Sequence, residues 1–345
     1  MPRKGGRVEE TMDKMRRPKV WRWMLVVALL ASTTSLWGGV AFAAWQPTRP
    51  VEFNVPAGTG GGADLLARFV SPLFQKNKIV DQPFIVVNRS GGAGAEGFLY
   101  VKSKAGDENT IIVTLDNLFT TPLATGVPFN WKELILIFRL VLDWFVLWVN
   151  AESPYKTAKE YLEAVRKEPS KFKMGGTGTK QEDQIITVQI EQNFPGMKFA
   201  YVPFKGGGEV CVELVGKHVD STVNNPSECV SHWRAGKVRP LAVIDHERIP
   251  LPEWDKIPTL KEATGVDISY SMLRGIFAPP KISKQAQEGY VELFKKVVET
   301  QDWKTYVSQY ALKPAFLAGP DYVKWLEEKE AATKGLMDKG GMLKK

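Results

Sequence analysis

The amino-acid sequence predicts an α/β fold divided into two lobes. Short apolar runs alternate with amphipathic helical stretches along most of the chain, which is typical of mostly parallel sheets flanked by helices. The order strand, glycine loop, helix occurs twice near the start and begins again near residue 172. At 345 residues the chain is long enough to build two such units.

The predicted elements follow one another in a similar order in both halves. In the first half, strands are expected at 51–55, 84–87, 111–115 and 145–149, with helices at 63–76, from 95 and at 158–166. In the second half, strands are expected at 172–174, 199–202, 219–223 and 241–244, with helices from 182, at 209–215 and after 227, and a helical C-terminal part from 286 with a break at 319–320. Since ligands of parallel sheets bind at the carboxyl ends of the strands, the loops of both lobes should face a common cleft.

Residues 1–43 are expected to be a cleavable signal peptide. A basic region precedes an apolar run that ends in Ala41-Phe42-Ala43, which fits the A-x-A pattern of a cleavage site. The alternative is an uncleaved membrane anchor, because residues 24–45 carry no charge and are long enough to span a bilayer. Without this segment the basic and acidic residues nearly balance, which gives no reason to expect nucleic acid as a partner.

The first candidate site is the glycine loop between the first strand and the first helix. The N–H groups of the first helical turn are free there, and with the positive end of the helix dipole they form an anion site. Three consecutive glycines allow a ligand to approach the main chain. Asp64 is either a carboxylate favoured by the helix dipole or a hydrogen-bond partner of loop and ligand groups. The residues expected to bind ligand here are Ala57, Gly58, Thr59, Gly60, Gly61, Gly62 and Asp64.

The loops after the other strands should complete the site. From the first half we expect contributions from Ser90, Gly91, Gly92, Ala93, Asp116, Asn117 and Asp143. From the second half we expect contributions from Thr177, Gly178, Thr179, Lys180, Phe204, Lys205, Gly206 and Asn224. Lys180 and Lys205 are ordinary surface lysines by default. Beside loops that feed an anion cleft, either could instead supply a countercharge.

Other chemistries have little support in the sequence. Residues 92–97 match G-x-G-x-x-G with Asp116 further along, but a polar segment separates this motif from its strand, where a dinucleotide turn is tight. The three histidines have no ligand spacing for a metal, and no nucleophile motif is present. We therefore expect neither a metal nor a cofactor, and a protein that is not an enzyme.

Two cysteines, Cys211 and Cys229, lie in successive predicted helices. Export of the chain would make a disulfide between them possible. Two small half-buried thiols are the alternative, because the separation of the two Cα atoms cannot be judged from the sequence.

Taken in order, these motifs resemble the solute receptors of tripartite tricarboxylate transporters, known as Bug-type receptors. The resemblance spans essentially all of the chain after the leader and is carried by segments 55–68, 87–94, 176–183, 202–209, 218–220, 224–228 and 275–280. Two departures are visible. Thr59 stands where many members have proline, and Lys180-Gln181-Glu182-Asp183 stands where many have serine and histidine.

The resemblance implies a two-lobed periplasmic binding protein of type II, a Venus flytrap. Residues 44–143 and 275–345 would form lobe 1, and residues 144–274 would form lobe 2. Such a receptor binds a small organic carboxylate in the periplasm, largely through main chain and ordered water, and delivers it to a permease of one large and one small membrane subunit. The alternatives are an exported α/β enzyme or nucleotide-binding domain, and a ligand sensor for a membrane signalling protein.

Overall fold

The computed structural model describes residues 45–345, so the predicted signal peptide lies outside the described residues. Its strands, in chain order, are β1 Val51–Val55, β2 Phe84–Asn88, β3 Thr110–Thr114, β4 Ile135–Asp143, β5 Val146–Asn150, β6 Lys173–Thr177, β7 Ala200–Phe204, β8 Ser221–Asn224, β9 Val238–Val243, β10 Met272–Ala278 and β11 Lys313–Ala318. Its α-helices are α1 Gly62–Lys76, α2 Ala95–Ser103, α3 Asn117–Thr125, α4 Ala158–Lys167, α5 Glu182–Asn193, α6 Gly207–Val215, α7 Pro226–Arg234, α8 Leu260–Thr264, α9 Lys284–Glu299, α10 Gln301–Gln309 and α11 Gly319–Lys339. In this part of the chain, none of the helices is both long and apolar enough to cross a membrane.

The strands form two sheets, and each sheet is the centre of one lobe. The sheet of lobe 1 has the order β11-β4-β10-β3-β1-β2, and the sheet of lobe 2 has the order β7-β6-β8-β5-β9. The chain passes from lobe 1 to lobe 2 between Asp143 and Val146 and returns between Val243 and Met272. The expected second boundary, between residues 274 and 275, falls inside β10, because Met272 already pairs with Asp143 of β4.

The strand pairing is more mixed than expected. β1 runs parallel to β2 and β3, and β6 runs parallel to β7 and β8, as the strand–helix–strand pattern predicts. In contrast, β10 is antiparallel to β3 and β4, and β5 is antiparallel to β8 and β9. Parallel neighbours need a crossover helix between them. β5 and β10 instead enter their sheets directly from the other lobe, so the crossings introduce the antiparallel pairs.

Lobe 1 contains elements that were not predicted, among them β4, β11 and α3. β11 contains Pro314, which cannot donate a ladder hydrogen bond and therefore weakens the sequence signal for a strand. The structure tolerates this proline because β11 lies at the edge of the sheet. Its pairing with β4 is also irregular between Pro314 and Leu317.

The C-terminal helix α11 connects the two lobes. Its first part packs against β4 and β11 of lobe 1, whereas Met337 near its end is buried in the hydrophobic core of lobe 2. Nε2 of Gln192 in α5 also donates to the carbonyl oxygen of Lys339 at 3.0 Å. The end of the segment expected in lobe 1, residues 275–345, thus also contacts lobe 2, because a helix of 21 residues is long enough to reach across the junction.

The two cysteines are bonded to each other, which settles the alternative that the sequence left open. Cys211 of α6 and Cys229 of α7 have Cα atoms 5.7 Å apart, and both side chains are completely buried. The disulfide ties together two helices whose first turns lie at the junction between the lobes.

Replacing both cysteines with serine should destabilise the protein without changing its fold. The bond closes a loop with a sequence separation of 18, and loss of such a cross-link removes about 3 kcal/mol from the free energy of unfolding. Denaturant unfolding under oxidising conditions measures this difference. Wild-type protein in reductant is the matched control and should resemble the double variant. Equal stability of all three samples would contradict the prediction.

Candidate ligand-binding site

A cavity of about 350 Å³ lies between the two lobes. Loops that follow strands in both sheets form its walls, as expected for the carboxyl ends of strands. The sequence-predicted residues on its wall are Ala57, Gly61, Gly62, Ser90, Ala93, Asn117, Thr177, Gly178, Thr179, Phe204, Lys205 and Gly206. Residues from both halves of the chain therefore meet around one space.

The other predicted residues lie outside the cavity wall. Thr59, Gly91 and Gly92 are exposed at the surface. Gly60 has a positive φ of 79° in the turn before α1, and its N–H donates to Asp64 Oδ2 at 2.9 Å. Asp64 also pairs with Arg68, so its carboxylate stabilises the loop and the first turn of α1.

Four of these outlying residues make structural contacts instead of lining the cavity. Gly58 allows close approach of the lobes, since a Cβ there would lie 3.0 Å from the carbonyl oxygen of Lys205. Asn224 Nδ2 donates to the carbonyl oxygen of Gly207 at 2.8 Å. Buried Asp116 accepts from the N–H of Leu273 at 3.0 Å and pairs with Lys329. Asp143 is buried against Arg274.

Lys180 also lies outside the wall. Its N–H donates to Gln184 Oε1 at 2.6 Å, and its positive φ of 60° belongs to the turn that starts α5. The countercharge suggested for this lysine is therefore not at the cavity. Lys205 does reach the wall, with an exposed side chain.

The second glycine loop is fixed by contacts with the first loop. Nδ2 of Asn117 donates to the carbonyl oxygen of Pro56 at 3.0 Å, and a Cβ on Gly94 would lie 2.7 Å from the same oxygen. Thr121 Oγ1 donates to the carbonyl oxygen of Ala93 at 2.6 Å. The glycines of this loop thus allow tight packing between the two loops.

Arg274 is a cavity residue that the sequence analysis missed. It lies on β10, its side chain is 1 % exposed, and its Nη2 donates to Asp143 Oδ2 at 2.8 Å and to Asn225 Oδ1 at 3.1 Å. Its Nε and Nη1 have no hydrogen-bond partner within residues 45–345. A single arginine in an otherwise apolar strand was the signal available, because arginine is seldom fully buried without a role.

Glu228 is a second missed residue, and it occupies the predicted anion site. This side chain of α7 in lobe 2 accepts a hydrogen bond from the N–H of Gly62, at the start of α1 in lobe 1, at 2.8 Å. The N–H of Gly62 is therefore already paired with a carboxylate of the protein. Burial raises the pKa of Glu228 to about 7, and the nearby charge of Arg274 partly opposes this rise.

Glu182 and Asp183 bring two more carboxylates to the wall, at the first turn of α5. Asp183 accepts a hydrogen bond from the N–H of Thr177 at 2.6 Å, and burial raises its pKa well above the usual value. Glu182 is 3 % exposed, and its Oε1 has no hydrogen-bond partner in the described part of the chain. Burial raises the pKa of Glu182 to about 7, with a further contribution from the charge of Asp116.

Two α/β lobes with a cavity between them are the arrangement found in solute-binding proteins. Residues 68–342 match the family described as "Tripartite tricarboxylate transporter family receptor". The match covers well over half of the chain. This protein therefore belongs to the tripartite tricarboxylate transporter receptor family.

Similar proteins agree with this assignment. Protein BugT of Bordetella pertussis is 24 % identical over 88 % of this chain and 92 % of its own length. A TctC solute-binding protein from Polaromonas, solved without ligand, is 27 % identical, with a TM-score of 0.63 over 85 % of this chain and 99 % of the other. MatC from Rhodopseudomonas palustris, solved with bound malate, has the same fold, with a TM-score of 0.75 at 20 % identity over 84 % of this chain and 99 % of the other.

Replacing Glu228 with glutamine should reduce the pH dependence of stability. The folded protein holds a proton on Glu228 up to about pH 7, whereas the unfolded chain releases it near the ordinary value of 4.5. Raising the pH across this window therefore destabilises the folded wild-type protein through this group. Between about pH 5 and 8, the melting temperature of the ligand-free protein should therefore fall by a few degrees less in the variant than in the wild type.

Glu163→Gln is the matched control, because Glu163 is exposed on α4. This control should melt with the wild-type pH dependence. The interpretation of Glu228 would be wrong if Glu228→Gln and Glu163→Gln gave the same pH profile.

Proposed function

We propose that this receptor captures a small organic carboxylate in the periplasm and delivers it to the membrane permease of a tripartite tricarboxylate-type transporter. The observation that carries the proposal is the buried guanidinium of Arg274, a residue of the cavity wall whose Nε and Nη1 have no hydrogen-bond partner among residues 45–345. A guanidinium binds carboxylates through paired, charge-assisted hydrogen bonds. A ligand carboxylate at this position would satisfy both Nε and Nη1.

The size of the cavity is consistent with a small acid. A volume of about 350 Å³ is at the lower end of what small-molecule sites enclose. The malate complex of MatC shows that the same fold can hold a dicarboxylate. This neighbour supports a small carboxylate as the chemical class of the ligand.

Capture would follow from closure of the two lobes around the ligand. Loop residues of lobe 1, such as Gly61 and Ala93, and of lobe 2, such as Thr177 and Gly206, line the same cavity. A ligand that contacts both walls binds the closed arrangement better than an open one. It therefore shifts the equilibrium between them by that difference in affinity. The permease would then recognise the closed receptor.

Removing the charge of Arg274 should strongly weaken carboxylate binding. Replacing Arg274 alone would leave Asp143 as an unpaired buried charge, which is strongly destabilising. The informative variant is therefore Arg274→Met combined with Asp143→Asn, which removes both charges together. We expect its affinity for the acid to fall by roughly 100-fold, the loss of about two charge-assisted hydrogen bonds.

The experiment has two stages. A thermal-shift panel of mono-, di- and tricarboxylates and amino acids first finds an acid that raises the wild-type melting temperature by several degrees. Calorimetric titration then compares the wild type, the double variant and the surface control Glu163→Gln, which leaves the buried pair intact and should keep binding. A double variant with wild-type affinity would contradict the proposed site.

A further inference from the structure

We infer that the ligand carries an ammonium group that binds Glu182, so that this receptor selects a zwitterionic amino acid over a dicarboxylate. The inference rests on the proposed function and specifies the chemical class of its ligand. In this arrangement the carboxylate of the ligand binds Arg274 and its ammonium group binds Glu182. Both side chains are buried in the wall of the same cavity.

One carboxyl oxygen of Glu182 lacks a hydrogen-bond partner in the described part of the chain. Both other acidic residues on the wall already accept a main-chain hydrogen bond, Asp183 from Thr177 and Glu228 from Gly62. Glu182 Oε1 has no hydrogen-bond partner among residues 45–345, although the residue is only 3 % exposed. The main-chain group that favours the charged form of this carboxyl group is the N–H of Glu182 itself, and no other described residue contributes one. A buried charge without a partner is costly. A cationic group supplied by the ligand would remove that cost.

The protein's own cations near Glu182 are engaged elsewhere. Arg274 of β10 pairs with Asp143, and Lys329 of α11 pairs with Asp116 and also donates to the carbonyl oxygen of Ser271 at 2.7 Å. Both cations lower the pKa of Glu182 through space, but neither forms a hydrogen bond with it. The carboxyl group of Glu182 is thus close to positive charge without forming an ion pair or a hydrogen bond with it.

The remaining charged and titratable neighbours of Glu182 do not supply a cation. Asp116 at the end of β3 adds negative charge, and Asp183 is the next residue of α5. Tyr270, before β10, is buried, and the charges of Asp116 and Glu182 help to keep its hydroxyl protonated by raising its pKa. The surroundings of Glu182 therefore favour a positive group from outside the protein.

The balance of charge in the cavity points in the same direction. The wall carries three carboxylates, Glu182, Asp183 and Glu228, and two cations, Arg274 and Lys205. Of the two cations, Arg274 is already paired and Lys205 is exposed. A dicarboxylate would place two negative charges beside these acidic groups and could bind only while they stay protonated, whereas a zwitterion adds no net charge. The sequence departure at residues 180–183 supplies two of the three carboxylates.

The two ligand classes predict opposite effects of pH. Burial holds the pKa of Glu182 at about 7 in the free receptor, and a bound ammonium group would lower it. Binding of a zwitterion should then release a proton near neutral pH, and affinity should rise several-fold between about pH 6 and 8. A second carboxylate at this position would instead require a protonated Glu182, and affinity would fall over the same range.

Calorimetric titration with matched probes tests the inference. The probes are α- and ω-amino acids, dicarboxylates and monocarboxylates of equal chain length, titrated into the wild type, Glu182→Gln and Glu163→Gln. We expect an amino acid to bind at least roughly tenfold more tightly than its dicarboxylate counterpart. Glu182→Gln should lose that preference together with the pH dependence, and Glu163→Gln should keep both.

The outcomes separate this inference from the proposed function. Tighter binding of a dicarboxylate than of every amino acid would overturn the inference and leave the carboxylate receptor intact. A wild-type affinity that falls between pH 6 and 8 would also overturn the inference and leave the carboxylate receptor intact. This measurement uses the wild type alone and does not depend on the folding of a variant. A protein that binds no acid of any kind would overturn the proposed function, and the inference with it.

Discussion

The buried side chain of Arg274 is the interaction on which the junction between the lobes depends. It extends from the strand that returns to lobe 1, pairs with Asp143 where the chain leaves that lobe, and reaches Asn225 at the start of α7 in lobe 2. It also packs against Gly62, where a Cβ would lie 2.4 Å from Nη2. One guanidinium thus connects both crossings, the first glycine loop and the second lobe. These contacts use only Nη2, so Nε and Nη1 are left without a hydrogen-bond partner among residues 45–345.

The contacts between the lobes explain why the glycine loops are needed. A Cβ on Gly208 would lie 2.7 Å from the carbonyl oxygen of Gly60, so the two main chains meet with no room for a side chain. The carboxylate of Glu228 accepts a hydrogen bond from the N–H of Gly62 at this contact. In a second hydrogen bond between the lobes, Gln181 Nε2 donates to the carbonyl oxygen of Ala93 at 3.2 Å. The described arrangement is therefore closed, and an opening of the cleft would have to break these hydrogen bonds. The protein supplies its own carboxylate at the helix terminus where the sequence suggested a ligand anion.

Local structure was predictable because it depends on neighbouring residues. The first strand was placed at its observed bounds, and the first helix starts one residue before the predicted start. The glycine loops were correctly expected to meet at a cleft, since parallel strands direct their ends to one edge. The weak strand signal of β11 followed from Pro314, whose tolerance depends on an edge position that only the folded sheet defines.

The charged residues of the site were harder to predict from the sequence. Arg274, Glu182 and Glu228 lie in a strand and in two helical first turns, where an isolated charged residue has many ordinary explanations. They become a site only because the folded lobes bring β10, α5 and α7 to one cavity. Conversely, Asp143 and Asn224 stood at strand ends, as ligand-binding residues often do, but the same folding directs them into structural hydrogen bonds. These roles depend on contacts between residues that are far apart in the sequence, and no local sequence pattern encodes such contacts.

The most direct test of the central claim is the nuclear magnetic resonance signal of the Arg274 Nε–Hε group, assigned by its disappearance in Arg274→Lys. If this group receives the ligand carboxylate, its proton resonance should move downfield and exchange more slowly with water when a stabilising acid is added. Main-chain amides of residues 177–179 should respond in the same titration. A response of these amides while the Arg274 signal stays unchanged would contradict the account.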